Sequence, residues 1–171
     1  LKKWEGSNFK QKRNEISSLL TNYPKITSRE IDLKDPEIQK SIITLFHKWV
    51  SVKIKEGKDF EEQEEFAFAK LLLLANTYPL CAVGVYNDKE LIAFMICELE
   101  EFGYAIGHAS KSDSEIKGTN AYLMKTMSEI LANYDRRYFN YEQDLGLDNL
   151  RDGKSRFRPS FFLKKYKISK K

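Results

Sequence analysis

Tyr138 to Tyr166, YFNYEQDLGLDNLRDGKSRFRPSFFLKKY, is the stretch on which the fold turns. Aromatics on alternate positions at its start predict a strand. Strand side chains alternate faces, so Asn140, Glu142 and Asp144 share one face, and Phe139, Tyr141 and Gln143 the other. Leu145-Gly146 then turns the chain, and Asp148 or Asn149 can cap a short helix. Lys154, Arg156 and Arg158 follow, Pro159 stops the helix, and Phe161 to Ile168 reads as a last strand. Two readings fit this row of carboxylates and cations. One is a site. The other is a strand end leaving the core, with Asp144 as a cap and the cations in solvent.

Upstream, the pattern is equally regular. Phe9 to Tyr23 places Ile16, Leu19, Leu20 and Tyr23 at helical spacing, with Lys10, Lys12 and Arg13 on another face. Lys25 to Leu33 predicts an edge strand after Pro24. Asp35 followed by Pro36 is a helix start, and that helix buries Ile38, Ile42, Leu45, Trp49 and Val52 before Gly57-Lys58-Asp59 breaks it. A second helix, Phe60 to Tyr78, opens on Glu61, Glu62, Glu64 and Glu65, which suits the positive end of its dipole. Its second half, AFAKLLLLA, is apolar almost all round and is expected to be buried. Leu80 to Tyr86, Glu90 to Leu99 and Tyr104 to Ser110 read as three successive antiparallel strands, turning at Asn87-Asp88 and at Glu101-Phe102-Gly103. Gly118 to Asn133 is a helix with Leu123, Met127, Ile130 and Tyr134 on one stripe.

A chain of 171 residues fits one domain, 1–171, with a real core. A hydrophobic fraction of 42% excludes a disordered chain, and no apolar run reaches the length of a membrane span. The net charge of +4 is too mild to imply nucleic acid by itself. Its distribution is uneven: Lys2, Lys3, Lys10, Lys12 and Arg13 crowd the start, and Lys164, Lys165, Lys167, Lys170 and Lys171 the end. Cys81 and Cys97 sit in apolar strands and read as buried free thiols in a reducing cytoplasm. The first residue is Leu1 rather than Met, which points to a piece of a longer protein.

The wording of the late stretch is more specific than its pattern. N-Y-E-Q-D-L-G-L-x-x-L-R-x-x-K-S-R-F-R-P, with F-L-K-K-Y after it, resembles the closing segment of bacterial proteins similar to the C-terminal domain of phosphatidylglycerol lysyltransferases. L-K-K-W-E-G-S-N-F-K-Q-K-R-N-E-I, Leu1 to Ile16, is similar to that family's basic first helix. The resemblance implies an α/β (α+β) domain of the acyl-CoA N-acyltransferase type, like the GCN5-related N-acetyltransferases (GNAT), with a mostly antiparallel central sheet flanked by helices. It also implies the second of two tandem domains, as in Fem-type peptidyl transferases. Residues 1–24 would then connect to an upstream domain of the same kind.

In such folds two middle strands splay and the acyl donor slots between them; here these would be Tyr104 to Ser110 and Arg137 to Gln143. The turn after the first of them holds the donor's pyrophosphate on backbone N–H groups. In this chain that turn, Lys111 to Asn120, fits the acetyltransferase pattern only at Gly118, next to Thr119, and has Glu115 where a cation belongs. A glutamate repels a pyrophosphate, so an aminoacyl-tRNA suits the turn better than acyl-CoA as donor. Transfer also needs a group that takes a proton and donors for the oxyanion. Glu142, Asp144 and Asn140 are the candidates for that work, and Lys154, Arg156 and Lys111 for holding a phosphate of tRNA or lipid. Lys10, Lys12 and Arg13 could track an RNA backbone, with Trp4 and Phe9 stacking on bases, or meet anionic lipid. The plain alternative is a helix packed on a neighbouring domain. His108 and His47 read as hydrogen-bonded or packing residues, and no His/Cys/Asp cluster has metal spacing.

Overall fold

The structure, a computed structural model, describes residues 4–57, 62–166 and 168–169. Lys2, Lys3, Lys58, Asp59, Phe60, Glu61, Lys167, Lys170 and Lys171 lie outside the described residues. In chain order the elements are α1 (Lys10–Asn22), β1 (Ile26–Ile31), α2 (Pro36–Lys55), α3 (Glu62–Leu73), β2 (Leu80–Asn87), β3 (Glu90–Leu99), β4 (Tyr104–Ser112), α4 (Thr119–Asn133), β5 (Tyr138–Asn140) and α5 (Asp148–Ser155). They fall into two compact units, Leu1–Asn140 and Tyr141–Lys171.

The larger unit is one five-stranded sheet in the order β1-β2-β3-β4-β5. Its first four strands are antiparallel and β5 runs parallel to β4, so the α/β reading with a mostly antiparallel sheet holds. Helices cover both faces. On one, Phe94 and Ile96 of β3 meet Ile42, Leu45 and Phe46 of α2 and Phe68 and Leu72 of α3. Phe46 stacks on Phe68 with centroids 4.5 Å apart, and Phe68 tilts against Phe94 at 5.6 Å. On the other face α4 crosses β1, β2 and β3, and α1 packs on α4. Alternation along β3 sends Ala93, Met95 and Cys97 to that side, all at 0% exposure.

The starts of the helices follow the local chemistry. The Asp35 carboxylate accepts the Glu37 N–H at 2.9 Å, and Pro36 supplies the preset φ of a first helical residue. Gly118 precedes α4 at φ +91°, and a Cβ there would lie 2.6 Å from the Glu15 carbonyl oxygen of α1. Only glycine lets the two helices approach this closely. Lys48 of α2 reaches Asp113, just past β4, at 2.7 Å. Burial alone would push the Asp113 carboxyl up, but the Lys48 ammonium and the Glu115 N–H bind its charged form and hold it below the usual carboxylate range.

Several expectations are corrected. Of the apolar face of α1, Ile16 and Leu19 are buried within this unit at 7% and 1% exposure, while Leu20 is 39% exposed. About half of AFAKLLLLA faces solvent, with Leu73 76% exposed while Phe68 and Leu72 are buried, and Phe66 just before it is 74% exposed. Only one side of α3 meets α2, and at 100° per residue the other side cannot. On α4 the core stripe is Leu123, Met127 and Leu131, whereas the Tyr134 hydroxyl donates to Glu30 at 2.5 Å. The late aromatic strand ends at Asn140 because Glu142 takes φ +58°, so strand alternation does not extend to Glu142 and Asp144. In the smaller unit Leu147, not Asp148 or Asn149, occupies the position before α5, and the helix stops at Ser155, ahead of Pro159. The described part of Phe161 to Ile168 forms no strand, and its Phe162 and Tyr166 are 83% and 79% exposed. Alternation makes a strand only where a neighbouring strand completes the hydrogen-bond ladder.

Two measurements check these contacts. Gly118→Ala should cost about 2 kcal/mol or more, from a left-handed φ with a blocked Cβ, and lower the thermal midpoint by roughly 5 °C or more. Asp113→Asn should destabilise the chain at pH 7. Because the folded-state pKa is depressed, the lost stability is present above the unfolded value near 4 and disappears as pH falls through the folded value. The stability curves of variant and parent should therefore converge in acid.

Candidate functional site

β4 and β5 pair over three positions, Tyr104↔Tyr138, Ala105↔Phe139 and Ile106↔Asn140. β4 then continues through Ser112 paired with β3, while its ladder with β5 ends at Ile106↔Asn140, so Gly107 to Ser112 lie beyond that ladder. Phe139 lies near its end. Its ring lies where a Cβ on Gly107 would be, 2.8 Å from the nearest ring carbon. Any larger residue at Gly107 would have to displace the ring.

Register places Glu98, Ile106 and Asn140 in one row across β3, β4 and β5. The register of β3 against β4 slips by one at Ile96/Cys97, leaving His108 as the extra residue of a bulge between Gly107 and Ala109. Its Nε2 lies 2.8 Å from Glu98 Oε2, with side chains 29% and 22% exposed. A His–carboxylate pair therefore sits beside Asn140 at the point where the strands part. Sequence reading passed over it, treating His108 as a structural hydrogen-bonder. Counting back from the Glu101-Phe102-Gly103 turn pairs Glu98 with Ile106 and leaves His108 on its diagonal, a signal that was present.

Farther along the same face, Lys111 is folded against α2 and α3. Its Nζ lies 3.7 Å from the Trp49 ring centroid and 2.5 Å from Glu64 Oε1, and Lys53 lies over the same ring at 4.2 Å. Burial pushes the Lys111 ammonium below its ordinary value, against the Glu64 hydrogen bond. The other donor-turn candidates are on the opposite face. Gly118 packs on α1, and Thr119 is 1% exposed with its hydroxyl donating to the Ile116 carbonyl at 2.7 Å. The structure thus separates Lys111 from Gly118 and Thr119.

Among the cations of α1, Lys12 pairs with Glu15 at 2.9 Å, and the Arg13 guanidinium donates to the Trp4 and Gly6 carbonyls at 3.1 and 2.8 Å. Lys10 is exposed. Phe9 is 7% exposed and Trp4 Nε1 donates to Ser128 at 3.0 Å, so both rings serve packing.

The smaller unit has its own polar centre. Lys154 Nζ donates to the Tyr141 and Gln143 carbonyls at 2.6 and 2.7 Å. Burial lowers the pKa of this ammonium, and the charges of Glu142 and Asp144 partly restore it. Asp144 accepts from Arg151 Nε at 2.7 Å and from the Gly146 N–H at 3.0 Å, which hold its carboxyl below the usual range. Lys165 lies 3.9 Å from Glu142. Glu142 and Asp144 of the loop after β5 and Lys154 of α5 are thus brought together within the smaller unit, while Arg156 is exposed at the end of α5.

Comparison with known proteins agrees with this architecture. A conserved protein of unknown function from Bacteroides thetaiotaomicron superposes with a TM-score of 0.80 at 23% identity, over 92% of this chain and 52% of that one. The chain therefore spans about half the length of that relative. The C-terminal domain of an Agrobacterium fabrum protein assigned as a lysylphosphatidylglycerol synthetase gives 0.58 at 14% identity, over 91% and 46%. An aminoglycoside acetyltransferase from an uncultured soil metagenomic sample, solved with sisomicin, gives 0.59 at 13% identity, over 89% and 98%. At these identities the likeness establishes a GNAT-type fold. No curated protein matches the sequence. No helix among the described residues is long and apolar enough to cross a membrane. The model for the family described as "Phosphatidylglycerol lysyltransferase, C-terminal" matches residues 1–169, and the chain belongs to that family.

Proposed function

We propose that this chain is an acyl- or aminoacyltransferase domain, moving the acyl group of an aminoacyl-tRNA or an acyl thioester onto an amine or hydroxyl. The observation that carries the reading is the parting of β4 from β5 after Ile106↔Asn140, which leaves a strand edge open in a fold shared with acetyltransferases. An extended donor can lie along such an edge and be positioned by backbone groups. Family membership favours an aminoacyl donor, and so does Glu115 in the turn before α4. In this reading Asn140 offers an amide and Lys111 a phosphate contact in the larger unit; within the smaller unit Glu142 and Asp144 bind or deprotonate the acceptor, and Lys154 and Arg156 hold phosphate. Lys10 is the one cation of the α1 trio not tied to a neighbour in the described contacts, and it offers a contact for tRNA or anionic lipid. The half-length match to the Bacteroides protein supports a partner domain upstream in the same protein.

A second reading has an observation of its own. Gly118 is pressed against α1 and Thr119 is buried, which leaves little of the phosphate turn to a ligand. That favours a silent domain that binds substrate or partner while an upstream half does the chemistry.

Thermal shift with coenzyme A thioesters and with charged and uncharged tRNA separates the two. A transferase should be stabilised by about 2 °C or more by a donor near saturation, and by less with the uncharged form. No shift with any of them leaves the silent domain. In the full-length protein Glu142→Gln should lower transfer about tenfold or more. Lys154→Ala should do the same, with a lower thermal midpoint because two hydrogen bonds to backbone carbonyls are lost, and parental activity in both variants would end the catalytic reading.

A further inference from the structure

The positive charge of this chain is concentrated in one segment. Arg156 to Lys171 holds seven lysines and arginines and no acid, so the net charge of +4 comes from these residues and the rest of the chain is acidic on balance. The same segment carries large apolar side chains that its own unit does not cover. Phe162, Leu163, Tyr166 and Ile168 are 83%, 59%, 79% and 94% exposed. From Pro159 onward the described positions form neither helix nor strand, so no local element turns these side chains inward. Lys165 reaches back to Gln143 at 3.2 Å and to Glu142 at 3.9 Å, while Arg158 and Lys164 are exposed beside the apolar groups. Clustered exposed apolar groups mark a surface that meets a partner.

We infer that residues 156–171 are a peripheral membrane contact whose partner is an anionic lipid surface. Two requirements select that partner. The cations call for dense negative charge, which a layer of anionic headgroups and a nucleic acid both supply. The apolar side chains separate the two. Phe162 and Tyr166 could stack on bases, but Leu163 and Ile168 have no ring to stack, and hydrocarbon takes all four. Aromatic rings next to lysines suit the boundary itself, with rings toward the acyl chains and ammonium groups toward water. The order Phe162-Leu163, Lys164-Lys165, Tyr166 interleaves the two kinds of side chain in this way. A segment without the internal hydrogen bonds of a helix keeps backbone N–H and C=O groups that must stay wet. The contact is therefore shallow, with side chains in the headgroup region and the backbone at its surface. It is separate from Lys10 on α1 and does not rest on the transferase reading.

Vesicle flotation with the full chain tests the contact, using vesicles of phosphatidylcholine alone and of phosphatidylcholine mixed with phosphatidylserine. The chain should float with the mixed vesicles and not with phosphatidylcholine alone, and about 1 M salt should release most of it. Lys164→Gln combined with Lys165→Gln should weaken binding about tenfold or more, at about fivefold for each cation removed. Phe162→Ser combined with Tyr166→Ser should weaken it several-fold with the charge unchanged. Both double variants should keep the parent's thermal midpoint within about 2 °C, because the altered side chains are exposed. The inference is overturned by a parent that does not float with the mixed vesicles, by equal flotation with phosphatidylcholine alone, or by flotation that neither double variant weakens. A gel shift with labelled tRNA runs alongside. A tRNA complex that the same variants weaken, without vesicle binding, gives the segment to nucleic acid and overturns the inference. Trypsin supplies the last check, on the full-length protein without vesicles. Cleavage after Lys164 and Lys165 should be as fast as in the full chain. Protection there means that another part of the protein covers the segment, which also overturns it.

Discussion

Burial of β3 on both faces is the constraint from which the larger unit follows. From Ile92 to Cys97 every side chain is at 1% exposure or less. A strand of this kind must have a helical layer above and below it, because water cannot cover either side. α2 and α3 supply one layer and α4 with α1 the other. The layers constrain each other through the sheet. Phe46, Phe68 and Phe94 form a continuous aromatic stack on one side, and Gly118 lets α1 settle against α4 on the other. With β3 fixed in this way, β4 has a stable partner along one edge and is at liberty to lose its other partner halfway. The gap at β5 is therefore tolerated by a sheet whose stability lies elsewhere.

The candidate site uses that liberty. Phe139 packs over Gly107 where the β4–β5 ladder ends, and the bulge after Gly107 carries His108, which meets Glu98 at 2.8 Å. Neither device adds to the core. A regular β4 with a larger residue at 107 would have made a longer, tighter sheet. Local departures from regularity that cost pairing and pack nothing are the usual mark of a place where function, rather than stability, set the residue.

Most of the larger unit was legible because its signals are local. Asp35 caps a helix through its own carboxylate, with Pro36 at the first position, and apolar runs bounded by turn residues specify β2 and β3 without reference to anything distant. The failures share a cause as well. Whether AFAKLLLLA is covered depends on which side of α3 meets α2, and whether Phe161 to Ile168 is a strand depends on a neighbour. Sequence periodicity carries no information about either. Of the site, the sequence drew attention to Glu142, Asp144 and Lys154, which lie near one another within the smaller unit. The Glu98–His108 pair went unweighted because a lone strand histidine reads as a hydrogen-bonded structural residue, although the turn at Glu101-Phe102-Gly103 places it diagonal to Glu98.

Cys81 and Cys97 face each other directly across β2 and β3, in the part of the sheet that water does not reach. Burial, with the Glu30 carboxylate nearby, pushes the Cys81 thiol up to about 12, and burial raises Cys97 as well. Neither sulfur is a nucleophile at neutral pH while the strands are in place. The pair is thus a built-in stopwatch. Any reagent that alkylates thiolates must wait for the middle of the sheet to part, and the pace of labelling is the pace at which the whole unit breathes open.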